Sequence, residues 1–155
     1  MLSIEEDDLM CASTLALLRL HLQGMRDTSP PGAVFALDHS GLKGDDVTVW
    51  TARRGGETLG MAALKALGDG VGELKSMRTH PTALRQGIAA ALLHHVIAEA
   101  RLRGMKRLSL ETGSGPAFDA ALALYRKRGF RDGPAFGDYT KSDFNQFLHL
   151  ELETK

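Results

Sequence analysis

The stretch VTVWTARRGGETLGMAALKAL, residues 47–67, constrains the fold more than any other part of the chain. Two strand-like runs, Val47–Ala52 and Thr58–Leu67, flank the polar turn RRGGE, and this pattern predicts a β-hairpin. The glycine-rich GDGVG makes the next turn, and Glu73–Thr79 is predicted to be a third antiparallel strand. Pro81 ends that strand because proline cannot donate a hydrogen bond to the ladder. The middle of the chain is therefore expected to form a three-stranded meander.

Helical and strand patterns alternate around this meander. Before it, the spacing of apolar residues predicts a short strand at Leu2–Ile4 and a helix from Asp7 to Met25. After it, the predicted elements are a helix at Gly87–Arg103, a strand at Arg107–Thr112, a helix at Ala117–Arg128, a strand from Phe130 and a strand at Phe144–Glu153. An antiparallel meander followed by β-α-β-α-β-β predicts an α/β fold with one mixed sheet, α+β in character.

The composition is that of a soluble globular protein with a single domain, residues 1–155. Apolar residues make up 43% and charged residues 25%, and 19 basic residues balance 19 acidic ones, so no basic excess predicts binding to nucleic acid. No apolar run approaches a membrane span, and the acidic N-terminus is unlike a signal peptide. The single cysteine, Cys11, lies in a helical pattern, which favours a buried thiol in a reducing cytoplasm. The sequence leaves a monomer and a homodimer both open.

The stretch LRQGIAAALL, residues 84–93, begins a helix without a capping residue. No Ser, Asp or Asn stands just ahead of it, and the next acidic residue, Glu99, lies far along the helix. The N–H groups of a first helical turn lack partners and carry partial positive charge, so they need an acceptor. Gly87 lets a ligand approach the backbone, and Ala89 and Ala90 leave the first turn unobstructed. Without a Walker A or G-x-G-x-x-G motif, these residues favour either another kind of phosphate site or a helix start satisfied by water.

Two motifs carry a resemblance to a known family. The order GELKSMRTHP, LRQGIAAALL, RLSLET and ALALYRKRGF resembles the GNAT acetyltransferase superfamily. In the family pattern Arg/Gln-x-x-Gly-x-Gly/Ala, Gly87 and Ala89 match, whereas Leu84 stands at the Arg/Gln position with Arg85 beside it. The pattern Leu-Tyr-x-x-x-Gly-Phe is met in full by residues 124–130. The phrases SPP, ELKSMRT, LSLETGS and GDYTKSDFNQFLHLEL are similar to the small YsnE-like branch of this family.

The resemblance implies acetyl-CoA as co-substrate, a small amine as acceptor and direct transfer in a ternary complex. It places the CoA pyrophosphate on the N–H groups of the uncapped helix, and the pantetheine along a strand that splays from its neighbour. Phe118 stands where the family often has an Asn that contacts CoA. The implied cofactor-binding residues are Met77, Thr79, Arg85, Gln86, Gly87, Ile88, Ala89 and Ala90. Another acyl donor, a peptide N-terminus as acceptor, and a non-catalytic acyl-CoA sensor are the alternatives.

Acetyl transfer from a thioester to an amine needs a base for the ammonium and benefits from an acid for the departing thiolate. Glu73 is the candidate base, acting directly or through water, because several GNAT enzymes place a catalytic glutamate on this strand; the alternative is a solvated carboxylate. Glu111, at the end of the following strand, is a second candidate. Tyr125 lies on an inward-facing helix stripe and is the candidate acid; the alternative is a core tyrosine bonded to a carbonyl.

The acceptor pocket is expected beside the long connection DTSPPGAVFALDHSGLKGDD, for which one helical turn is predicted at Ala33–Leu37. Members of the family use this region to cover the acceptor. The candidate acceptor-binding residues are His21, Met25, Ser29, Glu111, Phe136 and Tyr139. No metal is expected, because the six histidines and the cysteine form no cluster with ligand spacing, and the adjacent His94 and His95 cannot face one ion.

Overall fold

Alternating apolar residues in the middle of the chain form the longest strands of the structure, a computed structural model that describes residues 2–29, 39–42, 44–137 and 139–152. The elements in chain order are β1 (Ser3–Glu6), α1 (Ala12–Thr28), α2 (His39–Leu42), β2 (Val47–Arg54), β3 (Glu57–Gly68), β4 (Val71–Thr79), a 3-10 turn (Pro81–Ala83), α3 (Ile88–Leu102), β5 (Arg107–Thr112), a second 3-10 turn (Pro116–Phe118), α4 (Asp119–Lys127), β6 (Arg131–Asp132) and β7 (Gln146–Glu151).

The strands form one seven-stranded sheet in the order β1-β2-β3-β4-β5-β7-β6. The β4–β5 pair is parallel and the other neighbouring pairs are antiparallel, which confirms the predicted mixed sheet and its meander. The hairpin turn is tighter than expected. It consists of Gly55 and Gly56, whose positive φ angles of 61° and 84° suit the two-residue turn that matches the twist of the strands.

The first helix begins later than the predicted start at Asp7. The side chain of Asp7 instead accepts a hydrogen bond from the N–H of Leu9 at 2.7 Å, which holds the chain in a turn. α1 begins only after this turn, and it runs past the predicted end at Met25 to Thr28. Cys11 directly precedes the helix and is partly exposed, so the expectation of a buried thiol was wrong.

The later elements differ less from their predicted ranges. The bounds of α3 lie within one residue of the prediction, and β5 has the predicted bounds. β7 is shorter than the predicted strand Phe144–Glu153, because the N–H of Ser142 donates to Asn145 Oδ1 at 2.7 Å and closes a turn ahead of the strand. The helical turn predicted at Ala33–Leu37 lies outside the described residues.

Apolar residues on the two faces of the sheet pack against different helices. The predicted stripe of α3 is buried against one face, and its residues are Ile88, Leu92, Val96, Ile97 and Ala100. On the other face, Met61 and Ala63 of β3 pack against Leu17 and Leu18 of α1. Gly60 allows α3 to approach β3, since a Cβ atom there would lie 2.6 Å from Cγ2 of Ile88. No described helix is both long and apolar enough to cross a membrane.

β4 and β5 separate partway along their length. Their parallel pairing ends at Glu73 and Ser109, so residues 75–79 of β4 are paired with β3 alone. β4 also contains a β-bulge at Ser76, whose φ is +55°, and its register with β3 shifts at this point. The two strands therefore open a cleft in the middle of the sheet, as the family resemblance implied.

Candidate active site

A cavity of about 620 Å³ lies in the cleft between the separated ends of β4 and β5. Residues of α1, the N-terminus of α3, α4 and the loop before β7 complete its wall, and its size suits a small-molecule site. The sequence-predicted site residues that line it are His21, Met25, Glu73, Met77, Thr79, Arg85, Gly87, Ile88, Ala89, Ala90, Glu111, Tyr125 and Tyr139. The fold thus brings together most of the residues that were singled out in the sequence.

Three predicted site residues do not line the cavity. Gln86 is exposed, and its side-chain oxygen accepts a hydrogen bond from Nη1 of Arg54 at 2.9 Å. Ser29 follows α1, and its buried hydroxyl has no hydrogen-bond partner in the described part of the chain. The ring of Phe136 packs edge-on against that of Tyr139, with the centroids 5.2 Å apart. Phe136 therefore supports a residue of the cavity wall.

The start of α3 forms one end of the cavity and has no side-chain cap. Gly87, at the capping position, has a left-handed backbone with φ of +79°, and a Cβ atom there would meet nothing within 4 Å. Arg85 also has a positive φ, +63°, which is costly for a residue with a side chain and is concentrated at functional sites. The first helical turn contains no acidic residue. The N–H groups at this end are thus open to an anionic ligand.

The edge of β4 forms the floor of the cavity. Because pairing with β5 has already ended, the backbone of residues 75–79 is unpaired on the side that faces the cleft. Met77 and Thr79 lie on this edge, and both are half-buried. An extended ligand with amide groups can pair with such an edge as an additional strand.

Tyr125 projects from α4 into the cavity wall and is 6% exposed. Its ring lies near that of Phe130, with the centroids 5.8 Å apart. Its hydroxyl forms no hydrogen bond with the described residues, so no carbonyl among them holds it. Burial raises the pKa of Tyr125 to about 12, so the hydroxyl keeps its proton at neutral pH and can donate it.

Glu73 is 4% exposed, which makes the alternative of a solvated carboxylate wrong. Its Oε2 accepts a hydrogen bond from the hydroxyl of Tyr139 at 2.5 Å and lies 3.2 Å from Nζ of Lys75. The same Nζ donates to the hydroxyl oxygen of Tyr139 at 2.6 Å. Burial and the charge of Glu73 raise the pKa of Tyr139, which therefore stays protonated. The three side chains form a closed polar cluster, hereafter the Glu73 cluster.

Glu111 lies at the end of β5, on the same cavity wall. Burial raises the pKa of Glu111 to about 7, and the charge of Glu73 adds to the rise while Lys75 opposes it. A carboxyl group with this pKa changes its charge within the physiological range. The cavity thus holds two carboxyl groups, one engaged in an ion pair and one that titrates near neutrality.

His21 of α1 meets Arg78 of β4 in the same cavity. Nε of Arg78 donates to Nδ1 of His21 at 3.1 Å, and Nη2 donates to the carbonyl oxygen of His21 at 3.4 Å. Gly24 makes room for this contact, since a Cβ atom there would lie 2.8 Å from Nη2 of Arg78. Burial, together with the charges of Arg78 and Lys75, lowers the pKa of His21 to about 4. The imidazole is therefore neutral at physiological pH.

Sequence reasoning missed Lys75, Ser76 and Arg78 as residues of the site. All three belong to the stretch ELKSMRT in β4, which lies in the middle of the sheet. Charged side chains in a central strand are rarely buried without a partner, and this was the available signal. Among the described residues, no group of three or more His, Cys, Asp or Glu side chains could hold a metal ion.

Comparison with known proteins agrees with this geometry. Residues 14–130 match the Acetyltransferase (GNAT) family, and the chain belongs to this family. It is 43% identical to the uncharacterized N-acetyltransferase YedL of Escherichia coli (strain K12), over 98% of this chain and 96% of that protein. It is 42% identical to the uncharacterized N-acetyltransferase YsnE of Bacillus subtilis (strain 168), over 96% and 99%. These two relatives confirm the resemblance to the YsnE-like branch.

A solved structure has a similar fold. It is that of a Klebsiella pneumoniae protein with a provisional assignment as an acyl-CoA N-acyltransferase, and the two share 29% identity over 99% of each chain with a TM-score of 0.83. Family and fold together make this protein an acetyltransferase of the GNAT class. The acetyl group in this family comes from acetyl-CoA.

Proposed function

We propose that this protein transfers the acetyl group of acetyl-CoA to a small amine by direct attack within a ternary complex. The observation that carries the proposal is the placement of the cavity between two chemically different ends. At one end lies the uncapped start of α3, which favours an anion. At the other lie Glu73 and Glu111, which favour a cation such as an ammonium group.

The cofactor end suits the three parts of CoA that approach the reaction centre. The N–H groups of residues 85–90 are the proposed partners of the pyrophosphate, and each charge-assisted hydrogen bond is worth about 1.5–3 kcal/mol. The backbone of Met77 and Thr79 on the edge of β4 is the proposed partner of the pantetheine amides. This arrangement directs the thioester toward Tyr125, which lines the same cavity.

The reaction requires one proton to leave the acceptor and one to reach the thiolate. The amine nitrogen forms a bond to the acetyl carbonyl carbon, the carbon–sulfur bond breaks, and the amine loses a proton. The carboxyl pair Glu73 and Glu111 is the proposed destination of that proton. Glu73 was the first candidate from the sequence, and Glu111 has the pKa near 7 that suits a general base. The hydroxyl of Tyr125 is the proposed proton donor to the thiolate.

Release of the CoA thiol tests this proposal. The purified protein is incubated with acetyl-CoA and a panel of small amines and amino acids, and a thiol reagent monitors free CoA. We expect thiol release that depends on the acceptor and on enzyme concentration. Release with propionyl-CoA alone would indicate another acyl donor, and release with peptides alone would indicate a peptide N-terminus as acceptor. Binding of acetyl-CoA without thiol release on any acceptor would support the acyl-CoA sensor.

A further inference from the structure

The guanidinium of Arg78 has no carboxylate partner among the described residues. Its hydrogen bonds go to the neutral imidazole of His21 and to the backbone carbonyl oxygen of the same residue. The residue is half-buried between β4 and α1, and burial lowers the pKa of the guanidinium, although an arginine remains charged at any physiological pH. Buried cations in proteins are normally paired with an anion. The guanidinium of Arg78 thus has no negatively charged group of the described residues in direct contact.

His21 adds a hydrogen-bond donor that has no acceptor among the described residues. Because a guanidinium can only donate, Nδ1 of His21 must accept the bond from Arg78. The ring is neutral, so its single proton is on Nε2. That Nε2 atom is buried, in a residue that is 5% exposed, and has no hydrogen-bond partner in the described part of the chain.

Ser76 adds a second such group. The residue lies on the bulge of β4, lines the same cavity and is 7% exposed. Its buried hydroxyl has no partner among residues 2–29, 39–42, 44–137 and 139–152. Buried polar atoms without partners are uncommon in folded proteins and call for an explanation. Here two of them, Nε2 of His21 and the hydroxyl of Ser76, are each able to donate and come from residues that line the cavity with Arg78.

We infer that Arg78, His21 and Ser76 bind a carboxylate of the acceptor, so that the substrate is an amine that also carries a carboxylate group. The inference rests on the proposed function, because it names the substrate class of the same cavity. A carboxylate suits Arg78 as a partner, since Lys75 already pairs with Glu73 at 3.2 Å and no carboxylate of the described residues contacts the guanidinium. The CoA pyrophosphate is a less suitable partner, because Arg78 faces α1 and α3 covers the other face of the sheet.

The test compares acceptors that differ at the carboxylate alone. Each set contains an acid, its carboxamide and the decarboxylated amine. The three sets are phenylalanine, phenylalaninamide and phenethylamine; β-alanine, β-alaninamide and ethylamine; and 4-aminobutyrate, 4-aminobutanamide and propylamine. They separate the amine and the carboxylate by increasing lengths. We expect at least one acid with a kcat/KM about 10- to 100-fold above that of its amide and amine, the factor that loss of a charge-assisted hydrogen bond produces.

Two variants of Arg78 and one control locate the effect. Arg78→Gln removes the charge and should bring the acid-to-amide ratio close to one. Arg78→Lys keeps the positive charge but lacks the planar guanidinium, which can form two hydrogen bonds to one carboxylate. It should therefore give an intermediate acid-to-amide ratio. Arg101→Gln removes an exposed arginine of α3 that does not line the cavity, and it should keep the ratio of the unmodified protein.

Each alternative outcome contradicts a different statement. Equal rates for acid, amide and amine in every set, or a ratio that Arg78→Gln leaves unchanged, would overturn the carboxylate site. An unchanged ratio with weaker CoA binding by calorimetry would assign Arg78 to the co-substrate instead. If CoA binds but thiol is released with no acceptor, the proposed acetyl transfer is wrong. The carboxylate site is then tested by binding of the acids to the CoA complex. A rise in Tm with the acids in the presence of CoA, lost in Arg78→Gln and kept in Arg101→Gln, supports it; no rise overturns it.

Discussion

The cofactor end and the acceptor end of the cavity use different chemical groups of the polypeptide. The cofactor end consists mainly of backbone groups from one continuous segment, residues 75–90, which includes the open edge of β4 and the uncapped start of α3. The acceptor end consists of ionisable side chains from four places: α1, β4, β5 and the loop before β7. Backbone groups are present whatever the side chains are, whereas buried charges depend on the residue at each position. Under the proposed function, the first end binds the co-substrate and the second binds the acceptor.

The largest effect is expected at the cofactor end, from Gly87→Glu. The new side chain would extend into open space beside the helix start, and its negative charge would repel the CoA pyrophosphate. We expect CoA affinity to fall by at least about 100-fold, the loss of two or more charge-assisted hydrogen bonds. The rise of Tm that acetyl-CoA produces in the unmodified protein should disappear as well. Calorimetric titration with CoA measures both the affinity and its loss.

Gly104→Glu is the matched control for this variant. Gly104 ends the same helix, has a similar φ of +76°, and likewise leaves open space around a Cβ atom. Both variants force a side chain into the left-handed region, at a cost of about 1–2 kcal/mol in the free energy of unfolding. Equal loss of CoA affinity in the two variants would show that strain, rather than the anion site, is responsible, and the assignment of Gly87 would fail.

Tyr125→Phe should have the next largest effect, on kcat. The change keeps the ring that packs near Phe130 and removes the proton donor. General acid catalysis is worth about 100- to 10,000-fold, and the lower end applies because a thiolate with a pKa of about 8.5 leaves readily. CoA affinity and Tm should change little, since the hydroxyl has no protein partner among the described residues. If this variant kept the kcat of the unmodified protein, Tyr125 would not be the proton donor.

A smaller effect is expected at the acceptor end, from Glu111→Gln. The unmodified protein should lose kcat/KM as the pH falls through about 7, because the base becomes protonated. Glu111→Gln should remove this dependence of kcat/KM on pH. At pH 8, the kcat/KM of the variant should be about 10-fold lower than that of the unmodified protein. This loss is smaller than that of a full base, because Glu73 lies in the same cavity. If Glu73→Gln instead lowers kcat/KM, and by more at low pH than at high pH, then Glu73 is the base.

Stability should depend on pH through the same group. The folded-state pKa of Glu111 is raised from 4.5 to about 7, so the folded protein holds a proton that the unfolded chain has lost within this window. Stability should therefore fall as the pH rises from about 4.5 to 7, and Glu111→Gln should remove that part of the decline. We expect the Tm of this variant to exceed that of the unmodified protein by more at pH 8 than at pH 4. An equal difference at the two pH values would contradict the raised pKa.

The smallest effect is expected from Tyr139→Phe, within the Glu73 cluster. The variant removes the hydroxyl that donates to Glu73 and leaves the ion pair with Lys75 in place. Because the hydroxyl of Tyr139 contacts Glu73 rather than the substrate, its loss should change the KM for the acceptor by only about a few-fold, less than the loss of a direct hydrogen bond to the substrate, with unchanged CoA affinity. A comparable loss of CoA affinity would show that the two ends are coupled, and the separation between them would then need revision.

The difference between the two ends also explains what the sequence could predict. The meander, the α3 stripe and the Leu-Tyr-x-x-x-Gly-Phe motif are local patterns, in which residues a few positions apart share a face or a turn. The start of α3 was found because a missing cap is visible within a few residues. The start of α1 was misplaced, since Asp7 forms a turn that apolar spacing does not detect.

The acceptor end depends on contacts between distant segments. Arg78 meets His21 from 57 residues away, and Tyr139 meets Glu73 from 66 residues away. His21 and Tyr139 were candidates through the family resemblance, but no sequence pattern pairs either of them with its partner. Burial of Arg78 could not be predicted either, because it depends on the absence of a side chain at Gly24.

The bulge at Ser76 has a consequence for the spacing of the two cations in β4. In a regular strand, residues 75 and 78 would project to opposite faces, yet Lys75 pairs with Ala63 and Arg78 pairs with Met61, two residues of β3 that both face α1. Residues 76 and 77 together lie opposite one position of β3, and this additional residue lets two cations three positions apart share one face of the sheet. A strand without it would be regular and would hold the same two cations on the same face. The additional residue therefore supplies one more side chain between the two cations without changing the face on which they lie.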